Sequence, residues 1–431
     1  MNNKIKKNLG WTVLLLVSFI PAFLWFFIGN GKIQLFTDPV HSLGQIFGLV
    51  GMTMFALTFV LSMRLRFIED VFGGLDKVYA VHGILGGTSL MMILFHPIFL
   101  VLNFFPNQIN IAMKYLLPSS NWPVNFGLIA LLGMILLIFI TLFTKIKYNK
   151  WKFSHEFLGL VFIFAAIHIF LVRGSVSIDN IFPGYYLYAT IVSVIGIGAF
   201  VYSLFLRKKK SLVYVIESIN EKGDCFDIYM TPKVKPLLYK SGQFIFARFY
   251  SRGLPREAHP FSIASKSNSN KLNIAVKKLG DFTKEIGKIS VGDEVLIEGP
   301  YGRFNSGKGK DQIWIAAGIG ITPFIGMAAD LENSDSKNKI DLYYISRSRD
   351  FIKEEIFSEI PRKNKSFRFI KWESDIKGRI SAEDIKKISG KLDDKEFFIC
   401  GPEKFKEDFI SKLVESGIKP EEIHWEEFEL R

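Results

Sequence analysis

The chain has 431 residues, more than one ordinary domain holds, and a mean hydropathy of +0.24 with 42 phenylalanines and only 22% charged residues. This composition indicates a membrane protein. The formal net charge of +13 would also fit a nucleic-acid binder, but the basic residues of the first half flank apolar runs, where they act as topology signals. Nucleic acid is therefore excluded as a partner.

The average composition hides two unlike halves. From Leu9 to Leu206 long apolar runs alternate with short polar loops, whereas later residues alternate charged and apolar side chains as in a soluble α/β protein. Both cysteines, Cys225 and Cys400, lie in the second half, and so few thiols fit a reducing compartment rather than a disulfide framework. The expected domains are residues 1–208, 209–308 and 309–431.

Six apolar runs are long enough to cross a hydrocarbon core of about 30 Å, which takes about 20 helical residues. The predicted spans are residues 9–29, 40–63, 78–102, 124–146, 153–172 and 185–206. The first resembles a signal peptide because lysines precede it, but no A-x-A-like cleavage site follows before Asn30. It is predicted to be a retained helix.

The basic residues predict the orientation of the spans. With the N-terminus inside, the inner segments carry fourteen lysines and arginines, whereas the outer segments carry only Lys32, Lys114 and Arg173. Positive charge is concentrated on the cytoplasmic side of membrane proteins. We therefore expect a cell (plasma) membrane protein with both termini and the soluble half in the cytosol.

Four histidines fall within two of the predicted spans. His82 and His96 are 14 residues apart in span three, and His155 and His168 are 13 apart in span five. A rise of about 1.5 Å per residue separates the members of each span by about 20 Å. An ionisable side chain inside a bilayer indicates function by default. His82 with His155, and His96 with His168, would clamp two stacked haems by bis-histidine ligation.

Span five presents a geometric difficulty for this ligation. Thirteen residues fall about 140° short of four helical turns, so the span needs a tilt, a π-bulge or divergent ring rotamers to present both ligands. Alternatively, the histidines are structural, bonded to Ser, Thr or backbone carbonyls in a helical module or an ion transporter. A purified sample without a haem Soret band would support that alternative. His41 has no partner at this spacing and receives no role.

Residues 211–306 contain short strands separated by Gly and Pro turns, which is typical of a small antiparallel β-barrel. One extended stretch carries an aromatic wall for a flavin ring and a hydroxyl for its reactive nitrogen. These candidates are His259, Pro260, Phe261 and Ser262. Further on, a cation, a flexible turn and a hydroxyl at a helix start suit a diphosphate. They are Lys277, Gly280 and Thr283.

From residue 311 the order becomes strand, glycine turn and helix, which predicts a doubly wound nucleotide-binding domain. In the turn after QIWIAA, Gly318 and Gly320 allow close approach of a pyrophosphate, Thr322 offers a hydroxyl, and Pro323 suits the first helical turn. A glycine turn of this kind also joins strands to helices without any ligand.

Two later strand ends complete the predicted nucleotide site. Cys400, Gly401 and Pro402 end one strand, where small residues leave room for a nicotinamide ring; the alternative is a buried cysteine before a turn. Ser346 and Arg347 end another strand, and an arginine there can bind a 2′-phosphate, which favours NADPH over NADH. The alternative is a solvated surface arginine.

Over essentially its full length the chain resembles the ferric reductase and NADPH oxidase superfamily, especially its compact prokaryotic members. The resemblance is carried by the paired histidines in combination with the motifs HPFSI, VKKLGDFT, GIGITP, CGP and HWEEFELR. The resemblance implies a six-helix transmembrane haem-binding bundle followed by a ferredoxin-reductase-like module. It implies FAD in the barrel, NADPH or NADH on the α/β domain, and two b-type haems.

The resemblance also implies that Phe428 covers the flavin ring where the nicotinamide enters, although three residues follow it; the alternative is a core aromatic. No D-x-D-x-D-G loop is present, so calcium switching is not expected. Phe428 and Cys400 are candidates at the hydride-transfer end, and Arg173 at the opposite end, where it would stabilise an anionic product or pair with a haem propionate.

The expected function is electron transfer from cytosolic NADPH, or NADH, through FAD and the inner and outer haems to an outer acceptor. Dioxygen giving superoxide is the favoured acceptor because the outer loops, residues 103–123 and 172–184, are short and poor in carboxylates. The close alternative is ferric iron or a ferric chelate. Apart from the lipid bilayer, no obligate partner is evident.

Overall fold

A computed structural model describes residues 3–27, 31–172, 184–305, 309–332, 338–347 and 354–426 of the chain. Two compact units are present, one of Met1–Phe72 with Lys77–Lys209 and the other of Gly73–Asp76 with Lys210–Arg431. Two predicted site residues, Arg173 and Phe428, lie outside the described residues.

The first unit is helical. Its helices are α1 (Asn3–Phe27), α2 (Gly31–Thr37), α3 (Pro39–Ser62), α4 (Arg66–Phe72), α5 (Leu75–Leu102), α6 (Ile109–Met113), α7 (Trp122–Phe143), α8 (Tyr148–Glu156), α9 (Leu158–Leu171), α10 (Tyr185–Val201), a π-helical turn Tyr202–Leu206 and α11 (Arg207–Lys209).

Six segments of the described chain are long and apolar enough to cross a membrane, which confirms the predicted six-span architecture. They are Leu9–Phe27, Pro39–Ser62, Leu75–Leu102, Trp122–Phe143, Tyr148–Leu171 and Tyr186–Lys209. The core of the unit contains an aromatic cluster in which Phe162 meets Phe55 and Phe59 edge-on, each at 5.3 Å between ring centroids.

The fifth span is interrupted between its two histidines. Helix α8 ends at Glu156 and α9 begins at Leu158, and the Phe157 amide donates to the Ser154 carbonyl at 3.1 Å instead of to the residue four back. This tight turn changes the angular relation of His155 and His168. The span contains no π-helical turn; the described π-helix lies in span six.

The second unit begins with a six-stranded antiparallel sheet in the order β4-β3-β6-β1-β2-β5. A bridge between Ile263 and Ile274 joins its two edges, so the sheet closes into the predicted barrel. The strands are β1 (Leu212–Lys222), β2 (Cys225–Pro232), β3 (Phe244–Tyr250), β4 (Ala258–Ser262), β5 (Leu272–Lys277) and β6 (Glu294–Tyr301), with α12 (Asp281–Lys284) and a 3₁₀ turn Ile286–Lys288 between the last two.

A five-stranded parallel sheet follows, in the order β11-β10-β7-β8-β9. Strand order reverses at β7, which makes its carboxyl end the topological switch point, where such folds bind ligands. The elements are β7 (Gln312–Ala317), a 3₁₀ turn Gly318–Ile321, α13 (Thr322–Leu331), β8 (Ile340–Ser346), α14 (Glu354–Lys363), β9 (Phe367–Glu373), α15 (Ser374–Lys377), α16 (Ala382–Ser389), β10 (Glu396–Cys400), α17 (Glu403–Glu415), a 3₁₀ turn Pro420–Glu422 and β11 (Ile423–Trp425).

Candidate redox cofactor sites

The four membrane histidines face each other in two pairs. The ring centroids of His82 and His155 lie 6.0 Å apart with their planes at 59°, and those of His96 and His168 lie 6.2 Å apart at 73°. A metal bonded to two facing imidazole nitrogens at about 2 Å each holds the ring centroids roughly 6 Å apart. Both separations therefore leave room for one metal ion between the rings.

Hydrogen bonds fix which ring nitrogen faces the partner. The Nδ1 atoms of His82, His96 and His168 lie 2.9, 2.8 and 2.8 Å from the carbonyl oxygens of Thr58, Gly44 and Pro123, respectively. Because a carbonyl only accepts, each Nδ1 carries the proton, and each Nε2 keeps its lone pair for a metal. If the histidines were purely structural, hydrogen bonds to backbone carbonyls would be expected, and these are present. They use only one nitrogen of each ring, however, so the other nitrogen is left for a metal.

His155 has the same tautomer with a different acceptor. Its Nδ1 lies 3.2 Å from the Thr141 hydroxyl, and that hydroxyl lies 2.7 Å from the Leu137 carbonyl, to which it donates its only proton. Thr141 can therefore only accept from His155.

Glycines on the neighbouring helices make room for two of the rings. A Cβ at Gly48 would lie 2.8 Å from the His96 Nδ1, and a Cβ at Gly127 would lie 2.7 Å from the His168 Nδ1. In both cases the glycine stands four residues after the carbonyl that holds the ring. The same arrangement thus occurs in α3 with α5 and in α7 with α9.

Each facing pair offers two imidazole nitrogens to the space between its rings. Within the described residues, no group of three or more His, Cys, Asp and Glu side chains lies close enough to hold a metal ion. A metal between two imidazoles then needs its remaining ligands from elsewhere, and a porphyrin provides four in one plane. The donor set and the spacing therefore fit bis-histidine haem.

In the barrel, Ser262 is the predicted flavin contact with the clearest geometry. It ends β4 with 5% of its surface exposed, and its hydroxyl is buried without a hydrogen-bond partner among the described residues. Such a group is costly unless a ligand satisfies it. Phe261 instead lies in the barrel core, edge-on to Phe249 at 6.2 Å.

The other residues of the motif have partners within the barrel. The His259 ring stacks on Phe282 at 3.9 Å, and its Nε2 lies 3.1 Å from the Glu257 carboxylate. Pro260 lies opposite Phe246 in the β3–β4 ladder. His259 and Pro260 therefore support the strand from which Ser262 projects.

The predicted diphosphate residues lie where β5 ends and α12 begins. Lys277 is the last residue of β5, and Gly280 precedes α12. The Thr283 hydroxyl accepts from the amides of Leu279 and Gly280, both at 2.9 Å. Thr283 therefore shapes the turn, so the groups available to an anion are the lysine and the remaining amides of the turn.

The glycine turn after β7 and the end of β10 lie side by side at the switch point, where Cys400 pairs with Ala316. A Cβ at Gly320 would stand 2.4 Å from the Cys400 carbonyl oxygen, and a Cβ at Gly401 would stand 2.8 Å from the Ala317 Cβ. Gly318 has φ +56, which favours glycine. The structure thus brings the two predicted motifs together.

The other residues of these motifs are structural in part. Thr322 is buried, and its hydroxyl donates to the Ile319 carbonyl at 2.7 Å. Pro323 occupies the first turn of α13, as predicted for that position, and Pro402 precedes α17. The hydroxyl of Thr322 therefore holds the turn, and the backbone remains to meet a phosphate.

Ser346 and Arg347 end β8 at the same edge of the sheet. Ser346 is buried and aligned with Glu373 of β9, and its carbonyl accepts from the Ser374 hydroxyl at 3.2 Å. Arg347 is exposed. Of the two, only the arginine is available to a ligand in solution.

Two residues near these sites were missed by sequence reasoning. Glu426 is buried beyond β11, and one of its carboxylate oxygens lies against Gly302. Burial raises the pKa of the Cys400 thiol well above its usual range, and the Glu426 carboxylate acts in the same direction. Arg248 lies on β3 beside the HPFSI strand, and its Nε is buried without a partner among the described residues.

A membrane bundle with facing histidine pairs, an antiparallel flavin-type barrel and a doubly wound sheet define the class: a membrane-bound oxidoreductase. Sequence profiles agree. A ferric reductase like transmembrane component matches residues 47–166, an FAD-binding domain matches residues 207–305, and an oxidoreductase NAD-binding domain matches residues 314–410. Together the three profiles span most of the chain, and they follow one another in the order expected for the ferric reductase and NADPH oxidase superfamily, which the sequence motifs resemble.

Similar curated proteins include two oxidases. A probable respiratory burst oxidase homolog protein I of Arabidopsis thaliana is 27% identical over 230 residues, 47% of this chain and 24% of that protein. Dual oxidase 2 of Rattus norvegicus is 24% identical over 269 residues, 58% of this chain and 17% of that protein.

A third relative has a higher identity over a shorter stretch. A probable dihydroorotate dehydrogenase B (NAD(+)) electron transfer subunit of Pyrococcus furiosus is 45% identical over 92 residues, 21% of this chain and 34% of that protein. The chain thus spans about a third or less of the length of all three relatives. Among solved structures, a flavohemoglobin from Malassezia yamatoensis covers 79% of this chain and 97% of its own at 20% identity, with a TM-score of 0.47.

Proposed function

We propose that the protein moves electrons from cytosolic NADPH, or NADH, through FAD and two b-type haems to an acceptor across the membrane. The observation that carries the proposal is the occurrence of two facing histidine pairs, 6.0 and 6.2 Å between centroids, in a unit followed by flavin-type and nucleotide-type domains. When bound, FAD supplies the change from paired to single electrons, and the haems supply one-electron carriers.

The chain's own residues bind and orient these groups. His82 with His155, and His96 with His168, would hold the two irons through Nε2. The unpartnered Ser262 hydroxyl would bond the flavin ring, and Arg248 with Lys277 would bind its diphosphate. Around Cys400 and Gly401 the two packed turns would leave a flat surface for the nicotinamide.

Cofactor preference depends on Arg347 in this proposal. Its exposed guanidinium follows β8, the strand next to the switch point, where it can fork onto a ribose 2′-phosphate. Phe428, at the chain end, would cover the flavin until the nicotinamide displaces it.

The orientation rests on charge. The basic run of residues 207–210 and the lysines of residues 145–152 would lie on the cytosolic side, together with both termini. The electron path then runs outward from the soluble half to the His82–His155 pair and on to the His96–His168 pair.

Dioxygen is the acceptor that the outer surface favours. Residues 103–123 contain no Asp or Glu, and Phe105 and Leu117 there are 60% and 49% exposed. Ferric iron prefers hard oxygen ligands, which this segment does not offer as carboxylates. Arg173 would stabilise the superoxide anion. Reduction of a ferric chelate is the second candidate, since a bulky chelate could react at the surface without protein ligands.

The deciding experiment uses the full chain in detergent with FAD, haem and NADPH. Dismutase-sensitive cytochrome c reduction reports superoxide, and anaerobic ferric citrate reduction reports the second activity. We expect superoxide formation unaffected by added iron and lost in His96→Leu. Turnover only with ferric citrate would make the protein a ferric reductase. If NADPH reduces neither dioxygen nor ferric citrate, the proposed function is overturned.

A further inference from the structure

The four membrane histidines are held by unequal hydrogen-bond acceptors. Three donate Nδ1–H to backbone carbonyls at 2.8 to 2.9 Å, whereas His155 donates to the Thr141 hydroxyl at 3.2 Å. Hydrogen bonds to the outer nitrogen of a metal-bound imidazole raise its basicity as a ligand. The His82–His155 pair is therefore asymmetric in a way that the His96–His168 pair is not.

Thr141 belongs to the last turn of α7. Its hydroxyl proton is committed to the Leu137 carbonyl at 2.7 Å, so its remaining capacity is to accept. Since 3.2 Å is at the long end of the range for an N–H···O bond, this is the weakest of the four contacts.

A second contact restrains the His155 ring independently of Thr141. The Trp151 indole, one turn earlier on α8, stacks on the imidazole with centroids 5.4 Å apart and planes at 13°. Loss of the threonine hydroxyl would therefore remove an electronic influence on His155 while the stacked indole still limits rotation of the ring.

We infer that Thr141 is a positioning residue that sets the reduction potential of the haem held by His82 and His155, separately from the other haem. The inference rests on the proposed haem ligation. A more basic imidazole stabilises ferric over ferrous iron, and second-shell hydrogen bonding is one of the means by which a protein adjusts haem potential. Removing the acceptor makes His155 a poorer donor and raises that potential; a stronger acceptor lowers it.

The test is a spectroelectrochemical titration of the full-length, haem-loaded protein. Thr141→Val, which has a similar shape without an acceptor, is expected to shift one of two midpoint potentials upward and leave the other unchanged. Thr141→Asn, which offers an amide carbonyl, is expected to shift the same midpoint downward, and Thr141→Ser to keep the wild-type value. A tenfold change in the ferrous-to-ferric ratio corresponds to about 59 mV for one electron.

Thr144→Val is the matched control. It removes a hydroxyl-to-carbonyl bond of the same kind, to Ile140, from the same helix end, but this bond involves no histidine. We expect both of its midpoints to match the wild type. If Thr141→Val loses the haem, Thr141→Asn becomes the deciding variant.

The results separate the inference from the proposed function. Wild-type protein without haem would overturn the ligation itself. The role of Thr141 alone would be overturned if the wild type binds two haems and neither midpoint potential moves in Thr141→Val or Thr141→Asn, as long as the variant retains haem. Equal shifts of both midpoints would also overturn it, because the contact belongs to one pair.

Discussion

The His96 ring packs against the backbone of Gly48, so that a Cβ at this glycine would lie 2.8 Å from the imidazole Nδ1. Real Cβ atoms do not approach ring atoms so closely, and the ring is also tied to the Gly44 carbonyl at 2.8 Å. A side chain at position 48 must therefore displace the His96 ring from this position. The glycine thus makes room for a histidine of the next span.

Gly48→Ala is expected to cost the protein the haem at the His96–His168 pair, about half of the total, because the displaced imidazole no longer meets the iron. Pyridine haemochrome analysis per mole of protein measures it. Gly198→Ala, on α10, is the control, since a Cβ there meets nothing within 4 Å. Full haem content in Gly48→Ala would contradict the prediction, because it would mean that displacement of the His96 ring does not affect haem binding.

The architecture was largely predictable from sequence, because hydrophobic runs and strand–turn–helix order report burial directly. The six spans, the closed barrel and the doubly wound sheet are all present. The interruption at Phe157 was not predicted: a phenylalanine between two apolar runs carries no turn signal.

The partners of the histidines could not be read from the sequence. His96 donates to a carbonyl 52 residues away and His168 to one 45 residues away. Every residue has a backbone carbonyl, so the sequence does not show which one accepts the bond. Gly48 and Gly127 are ordinary residues until the neighbouring helix is in place. The predicted roles of the site residues remain predictions, because they concern bound groups.

Arg347→Ala is expected to raise the Michaelis constant for NADPH roughly tenfold or more, about 1.4 kcal/mol, and to leave that for NADH nearly unchanged. The reason is the loss of a fork to the 2′-phosphate. Arg347→Lys, which retains charge without the fork, should fall between. Steady-state kinetics with both cofactors measures it, and an equal rise for NADH and NADPH would contradict the assignment.

A fragment of residues 208–431 is expected to be soluble, to bind FAD and to reduce a dye with NADPH, because the barrel and the parallel sheet have their own cores. It should form no superoxide by a haem route. Flavin absorbance after gel filtration, followed by a diaphorase assay, tests this. A folded fragment that never binds FAD would argue against the proposed domain boundary.

Cys400 is expected to resist alkylation in the folded protein. Burial and the Glu426 carboxylate both raise the pKa of its thiol, and only the thiolate is an effective nucleophile. In a Cys225→Ser background, iodoacetamide at pH 8 should modify Cys400 only after denaturation, as read by mass spectrometry. Because the pKa of the Cys400 thiol is raised in the folded protein, its contribution to the stability of the fold is fully present below the ordinary thiol pKa. This contribution is lost as the pH rises through the raised pKa. Rapid modification of the native protein would contradict this environment.

The central claim is that four histidines in the membrane unit hold two haems. We expect about two haems per chain in the wild type and a clear loss in each of His82→Leu, His96→Leu, His155→Leu and His168→Leu, because each variant removes an axial ligand. His41→Leu is the control, since that ring lies 4.0 Å from the Asp38 carboxylate and belongs to neither facing histidine pair. The haem-to-protein ratio of these variants is the direct measurement: reduced haem in all four supports the account, and an unchanged ratio in all four, or a wild type without a Soret band, contradicts it.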